Sequence, residues 1–359
     1  AASDVYKRQR LGDSGLVPED IRASGLGYSN LLYMATVVVE LAKAKEADLT
    51  IFLVEEPEAH LHPQLQVLVL EFLLDQARQS ASRAIEPGKP EGRIQIVVTT
   101  HSPNLTAWVS PMHLVVMRSR RRDQNGVAVS ESVSVPIAEI GLKPKTLDKI
   151  SRYLDVTRSA LLFGNRAILV EGIAEALLLP VLAQKLVLVG DADGWLRFKG
   201  AVIVPIEGVD FRPYVEVLLR PHGDARIADR LIVITDADPT VLGNRKVDLE
   251  NLAATHGAPQ ALTVLTNQHT LEHEVFSAGN EAFLKGAFLR LHRNSRRDWE
   301  DRIERVPVQD RPNAFLRLIE TKKTRKGDLA QAMASRIAAG EPFVVPPYLA
   351  DAIRGAAQA

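Results

Sequence analysis

Two apolar runs that end in carboxylates constrain this chain more than any other feature. One is Arg166-Ala-Ile-Leu-Val-Glu171-Gly172-Ile-Ala-Glu175, the other Leu231-Ile-Val-Ile-Thr-Asp236-Ala-Asp238. A short continuous apolar run fits a strand buried on both faces, the usual state of parallel sheets flanked by helices. Strands that end in carboxylates gather negative charge, and hard cations such as Mg²⁺ or Mn²⁺ take oxygen ligands. A helix starting at Gly172 lets Glu171 and Glu175 point towards one spot. Asp236 and Asp238, two apart in extended chain, share one side. Four acids from two strand ends can hold one or two cations for phosphoryl chemistry.

Strands alternate with helices through both halves, which predicts an α/β architecture. Strands are expected over 49–54, 94–100, 114–117, 127–135, 202–206, 231–235 and 261–265. Helices are expected over 31–45, 64–79 and 142–162, and from about residue 281 the chain reads as mostly helical and charged. The 359 residues are enough for two domains, expected over 1–160 and 161–345. No apolar run reaches the roughly 18 residues of a membrane span, no signal-peptide pattern opens the chain, and there is no cysteine. A cytoplasmic protein with no membrane partner is the expectation. The formal charge of +0 gives no global basic field. Local basic patches remain at Arg118-Ser-Arg120-Arg121-Arg122 and Lys322-Lys323-Thr-Arg325-Lys326. Asp4-Val-Tyr-Lys-Arg-Gln9 resembles a translated adapter sequence, so the first ten residues are set aside and a missing upstream part is expected.

In the first half, Thr50-Ile-Phe-Leu-Val-Glu55-Glu56-Pro57-Glu58-Ala59-His60-Leu61-His62-Pro63 is followed by Thr99-Thr-His101-Ser-Pro103. These blocks resemble the Walker B strand, D-loop and switch histidine of ATP-binding cassette ATPases. The resemblance implies a metal role for Glu55, a water-positioning role for Glu56 and a γ-phosphate sensor in His101. Ala23-Ser24-Gly25-Leu26-Gly27 sits where the cassette signature should lie, in a degenerate form. It implies that Ser24 and Gly25 contact the ATP of a second subunit, hence a homodimer formed through the ATPase domain. No G-x-x-x-x-G-K-[ST] phosphate loop occurs, so ATP is expected as a cofactor of the full-length protein only.

In the second half, Glu171-Gly172-x-x-Glu175 with Asp236-x-Asp238 resembles the Toprim motif of topoisomerases, primases and certain nucleases. A partial cassette-type ATPase sheet followed by a Toprim α/β domain with a mostly helical C-terminal region resembles the OLD (overcoming lysogenisation defect) family of nucleases, over roughly residues 20–340. The resemblance implies that Glu272, in Thr270-Leu271-Glu272, is a further metal carboxylate. It also implies that a lysine of the late basic cluster faces the scissile phosphate: Lys326, with Lys322 and Lys323 in competition. Glu207, after another strand, is a further candidate for the site, whereas Asp191-Ala-Asp193 beside Gly190 and Gly194 reads as a turn.

The function these readings predict is two-metal hydrolysis of DNA phosphodiester bonds, with Mg²⁺ or Mn²⁺ held by Glu171 and Glu175 on one side, Asp238 and Glu272 on the other, and Asp236 between. DNA is the expected partner, a helicase is a further partner the resemblance allows, and DNA repair or phage defence the setting. Tyr153 and Tyr214 lack the context of a topoisomerase nucleophile. The alternative is an ATP-gated DNA-binding sensor or structural module whose Toprim acids bind metal without cutting. One consequence is direct: cradling phosphate takes a ring of backbone N–H groups and a lysine, so these 359 residues should not turn over ATP in a phosphate-release assay. Steady turnover would contradict the reading.

Overall fold

The computed structural model describes residues 10–11, 19–20, 26–43, 46–236 and 244–358. Two compact units divide the chain, 1–109 and 110–359, each described here by itself. Among the described residues no helix is long and apolar enough to cross a membrane.

In the first unit β1 (Arg10–Leu11) pairs antiparallel with β2 (Glu19–Asp20). Helix α1 (Leu26–Lys43) precedes β3 (Leu49–Glu55), α2 (Pro63–Ala81), β4 (Arg93–Thr99) and the single turn α3 (Pro103–Thr106). β3 and β4 run parallel and in register from Leu49↔Arg93 to Glu55↔Thr99. Alternate residues face one way, so Val54 packs with Met34, Val38, Leu61, Val69 and Leu73. The other face of β3 is open, with Leu53 71% exposed. Helix α2 starts where it does because the His62 side chain accepts from the Gln64 N–H and Pro63 sits at the first helical position.

The second unit opens with a hairpin, β5 (Val115–Gln124) and β6 (Val127–Pro136), longer than the sequence suggests. Asn125 and Gly126 have φ of 59° and 80°, the turn that matches strand twist, and Asn-Gly is its strongest signal. The single helix expected over 142–162 is broken. Helix α4 (Pro144–Tyr153) stops, and the Asp155 side chain accepts from the Arg158 N–H to restart the chain as the short α5 (Val156–Ser159). There follow β7 (Arg166–Val170), α6 (Ile173–Leu182), α7 (Ala192–Lys199), β8 (Val202–Pro205), α8 (Arg212–Leu219), β9 (Arg230–Asp236), α9 (Arg245–Thr255) and β10 (Leu262–Asn267). The helical remainder is α10 (Leu271–Ser277), α11 (Glu281–Leu291), α12 (Arg296–Trp299), α13 (Arg311–Thr321), α14 (Lys326–Ala338) and α15 (Pro347–Ala357). β10, β9, β7 and β8 form one parallel sheet in that order.

Period-two alternation divides the sheet between two cores. Ile168, Val170, Ile232 and Ile234 pack among residues of α6, α10, α11 and α13–α15. Ala167, Leu169, Leu231 and Val233 face the opposite side, with residues of α8 and α9 and with Val116 and Val135 of the hairpin. That second core moves the unit boundary away from the expected 160: Val116, Ile140, Ile150 and Leu161 bury their side chains with the sheet, so 110–160 belongs to the second unit. Nor does the unit end at 345. Ala352, Ile353 and Ala356 of α15 pack in the first core, and Arg166, Arg197 and Arg230 donate to the carbonyls of Ala356, Ala357 and Gly355. Cations at a helix C-terminus satisfy carbonyls that lack intrahelical partners.

Trp299 is fully buried, with ring centroids 5.7 Å from both Phe288 and Phe315. Trp299→Ala should cost about 3–5 kcal/mol in urea unfolding. Because the indole N–H has no partner, Trp299→Phe should cost well under half as much. Equal losses would contradict this packing account.

Candidate functional site

Parallel strands present their carboxyl ends together, and the sheet order places the ends of β7, β9 and β10 side by side. Glu171 follows β7, Asp236 ends β9, Asn267 ends β10, and Glu272 lies in the first turn of α10. Gly172 caps α6 in extended conformation and sends Glu175 into its first turn.

Glu171 is tied down by its neighbours. Its Oε1 accepts from the Thr235 hydroxyl, from the Asp236 N–H at 2.8 Å and from Arg245 Nη1 at 3.1 Å. The same Arg245 nitrogen donates to Thr235 Oγ1 and to the Asp236 carbonyl at 3.2 Å. Asp236 Oδ1 accepts from Asn267 Nδ2 at 2.6 Å. Burial pushes the Asp236 carboxyl above its usual range, as do Glu171 and Glu272, while Asn267 and Lys326 act the other way. Glu175 is pushed up to about 7, first by burial and then by the charges of Asp236 and Glu272. Glu272 is 1% exposed. Its Oε2 accepts no hydrogen bond, and Lys326 Nζ stands 3.6 Å away.

The structure thus draws Glu175, Asp236, Glu272 and Lys326 into one electrostatic group, with Glu171 joined to it through Asp236. Asp238 lies outside the described residues. Among the lysine candidates, Lys322 is engaged by Asp298 at 2.6 Å, Lys323 sits at φ 51° after α13, and Lys326 faces the acids. Glu207 is 3.8 Å from Arg158. Asp191 caps α7 by accepting from the Gly194 N–H, the local role its Gly-flanked context predicts. Arg245, Thr235 and Asn267 escape a motif-based reading because each acts by orienting a carboxylate. The only sequence signal for them is a polar residue at the end of an apolar strand or just past the second acidic pair.

Among the described residues, no group of three metal-ligating side chains is already gathered around one point. The donor chemistry nevertheless fits a divalent cation. Half-buried Glu175 and Asp236 with buried Glu272 hold a shared excess of negative charge, and one oxygen, Glu272 Oε2, is enclosed without a hydrogen-bond donor. Oxygen-only ligands suit Mg²⁺ or Mn²⁺.

In the first unit Glu55 ends β3 opposite Thr99, and Glu56 takes φ of 43° with its N–H donating to the Thr99 carbonyl at 2.9 Å. His101 Nε2 comes within 3.6 Å of Glu56 Oε1. Glu58 accepts from the Thr100 hydroxyl at 2.6 Å and the His101 N–H at 2.9 Å, so it latches the two loops together. Ser24 and Gly25 lie outside the described residues.

The raised Glu175 value has a sign that can be checked. Its ordinary value is 4.5, so between that pH and about 7 the folded chain binds more protons than the unfolded one. Stability must fall as pH rises through this window and stay low above it. In metal-free buffer the wild-type urea midpoint should drop between pH 5 and pH 8 relative to Glu175→Gln. Parallel pH profiles for the two proteins would contradict the burial of this acid.

Residues 18–106 match the AAA ATPase domain family, and residues 162–238 match the Toprim domain of overcoming lysogenization defect protein-like proteins. Endonuclease GajA of Bacillus cereus (strain VD045) is 25% identical over 206 residues, 57% of this chain and 29% of that protein; the match therefore spans under a third of that relative's length. Among solved structures, the C-terminal region of the Burkholderia pseudomallei OLD protein aligns at 26% identity and TM-score 0.38, over 55% of this chain and 100% of that one. The C-terminal region of the Xanthomonas campestris pv. campestris OLD protein aligns at 26% identity and TM-score 0.39, over 54% and 96%. The chain thus carries, in order, a segment similar to the AAA ATPase domain and a segment similar to the Toprim domain of overcoming lysogenization defect protein-like proteins.

Proposed function

We propose that the second unit is a metal-dependent DNA endonuclease that hydrolyses phosphodiester bonds. The observation that carries the reading is the set of half-buried Glu175 and Asp236 with buried Glu272 at adjoining strand and helix ends, with Lys326 3.6 Å from Glu272. A structural acid cluster would be neutralised by matching cations. Here Arg245 meets Glu171 and Lys326 meets Glu272, and Glu175 still carries a pKa near 7.

Glu171, Glu175, Asp236 and Glu272 would hold the Mg²⁺ or Mn²⁺, with Asp238 as a further acid in the motif. Bound divalent cations would supply a water of lowered pKa and neutralise charge on the phosphate. The chain's own residues do the rest. Arg245 and the Thr235 hydroxyl fix one oxygen of Glu171, and the other would be the one to meet the cation. Asn267 fixes Asp236 in the same way. Lys326, 63% exposed in its side chain, is free to swing towards a scissile phosphate and offset its developing negative charge. Attack by water fits better than attack by tyrosine: Tyr214 is 2% exposed, stacked 5.8 Å from Tyr153, and burial pushes its hydroxyl up to about 12.

In the first unit we assign Glu55 to a metal, Glu56 to water positioning and His101 to phosphate sensing, within an ATPase that works as a homodimer and regulates the nuclease. The Arg245–Glu171 pair favours a second reading, a sensor that binds DNA without cutting it, since an acid already held by arginine competes poorly for a cation.

Supercoiled plasmid separates the two. With Mn²⁺ or Mg²⁺ the protein should nick it, and chelator should stop the reaction. Asp236→Asn and Glu272→Gln should each lose at least about a hundredfold in rate while keeping the wild-type circular dichroism. Lys326→Ala should lose roughly a hundredfold to a thousandfold, the effect of removing one transition-state donor. Nicking that survives chelation, or is undiminished in Asp236→Asn, would overturn the assignment.

A further inference from the structure

The two basic patches of the sequence meet opposite fates in the fold. In the β5–β6 hairpin the charge is cancelled. Arg118 is 3.8 Å from Asp229, Arg120 is 2.8 Å from Glu131 and 3.7 Å from Asp224, and Arg122 is 3.7 Å from Glu131. The late patch is instead enlarged by a second loop. His292 Nε2 and the Thr324 hydroxyl are 2.8 Å apart, and Lys322 Nζ is 2.6 Å from Asp298. These contacts tie the chain between α11 and α12 to the loop between α13 and α14. Arg293, Arg296 and Arg297 on one side and Lys323, Arg325 and Lys326 on the other are all exposed. Among the described residues, only Lys326 of this set has an acid within ion-pair distance, and that acid is Glu272 of the site. The acids that follow Arg297, apart from Glu300, are taken by other cations: Asp298 by Lys322, Asp301 by Arg305 at 3.0 Å and Glu304 by Lys285 at 2.6 Å.

Both loops are firmly seated. Trp299, just after the arginines, is fully buried, and the His292 ring lies 4.8 Å from that of Phe288. Lys323 carries a further mark. Helix α13 ends with the Thr324 N–H donating to the Ile319 carbonyl at 2.8 Å and the Lys323 N–H to that of Glu320 at 2.9 Å. This ending takes a left-handed residue, a place where glycine is usual. Here the residue is a lysine at φ 51°, whose Cβ crowds the backbone. Stability alone would favour glycine, so the strained position keeps a cation that no acid of the fold uses.

We propose that the two tied loops form a docking surface for the sugar–phosphate backbone of duplex DNA, which Lys326 joins to the acid cluster. The identity of the partner rests on the nuclease reading given above. Guanidinium groups match phosphate with paired N–H donors, and lysines meet it as point charges. Contacts of this kind position a duplex and read no bases, so the surface holds DNA over the acids without selecting a sequence.

Anisotropy of a fluorescent duplex titrated with the 359-residue chain in chelator, over a salt series, reads binding apart from cleavage. Each cation that meets a phosphate steepens the fall of log K with log salt by roughly 0.9. The variant Arg293→Gln/Arg296→Gln/Arg297→Gln should bind at least about tenfold more weakly and lose roughly 2–3 from that slope. Arg121→Gln, on the hairpin, should change neither. Lys323→Gly should weaken binding and flatten the slope by roughly 0.9, yet raise the melting temperature by roughly 2–4 °C as the left-handed strain is relieved. Wild-type duplex binding and slope in the triple variant, with plasmid nicking intact, would overturn the surface and leave the nuclease reading standing. An equal loss in Arg121→Gln would also overturn it, as would loss of binding to phosphatidylserine vesicles with duplex binding unchanged. Arginine-dependent duplex binding by a chain that nicks nothing with Mn²⁺ would keep the surface and remove the nuclease reading. A lower melting temperature in Lys323→Gly would remove Lys323 from the account.

Discussion

The second unit is organised around charge that the fold concentrates and does not cancel. A parallel sheet aligns its carboxyl ends, and in this one three adjoining strands each deliver polar side chains to the same edge. Taking carboxylates out of water disfavours their ionised form, which is why Glu175 and Asp236 are pushed upward. Arg245 offsets part of the charge at Glu171 and Lys326 part of it at Glu272. The remainder is what a divalent cation would neutralise. Glu272 is buried with one oxygen that accepts no hydrogen bond and has Lys326 3.6 Å away, a strain that a bound cation would relieve.

The surrounding architecture maintains that strain. Two apolar cores, one on each face of the sheet, immobilise the strands whose ends carry the acids. The β5–β6 hairpin closes one face and α15 the other. The orienting contacts come from parts of the chain far from the acids in sequence: Arg245 from the start of α9, Asn267 from the edge strand, Lys326 from the start of α14. Gly327 lies close to α6, where a Cβ would stand 3.3 Å from Ile173 Cγ2. That close approach seats the head of α14 beside the helix that bears Glu175.

Much of this was legible in the sequence, for identifiable reasons. Runs such as Leu231–Thr235 are apolar at every position because both faces are covered, and that signal is unambiguous. Gly172 before an apolar helix announced a cap, and Glu272 and Lys326 came from the OLD resemblance. What stayed hidden depends on contacts between distant residues. The hairpin's attachment to the second unit rests on Val116 and Val135 reaching the core, which no local pattern encodes. The break between α4 and α5 turns on one capping aspartate in a stretch whose periodicity continues across it. Arg245 is an unremarkable basic residue until the fold sets it against Glu171. In the first unit, the Glu58 latch was invisible because an acid in a polar loop carries no sign of its partner.

Anomalous diffraction from crystals soaked in Mn²⁺ tests the central claim most directly, since it locates the cation without relying on activity. The account predicts manganese peaks within ligand distance, about 2.0–2.3 Å, of oxygens from Glu175, Asp236 and Glu272, with the side chain of Glu171 facing the same ion. Manganese bound elsewhere on the chain, with Glu171, Asp236 and Glu272 still held by Arg245, Asn267 and Lys326, would contradict it.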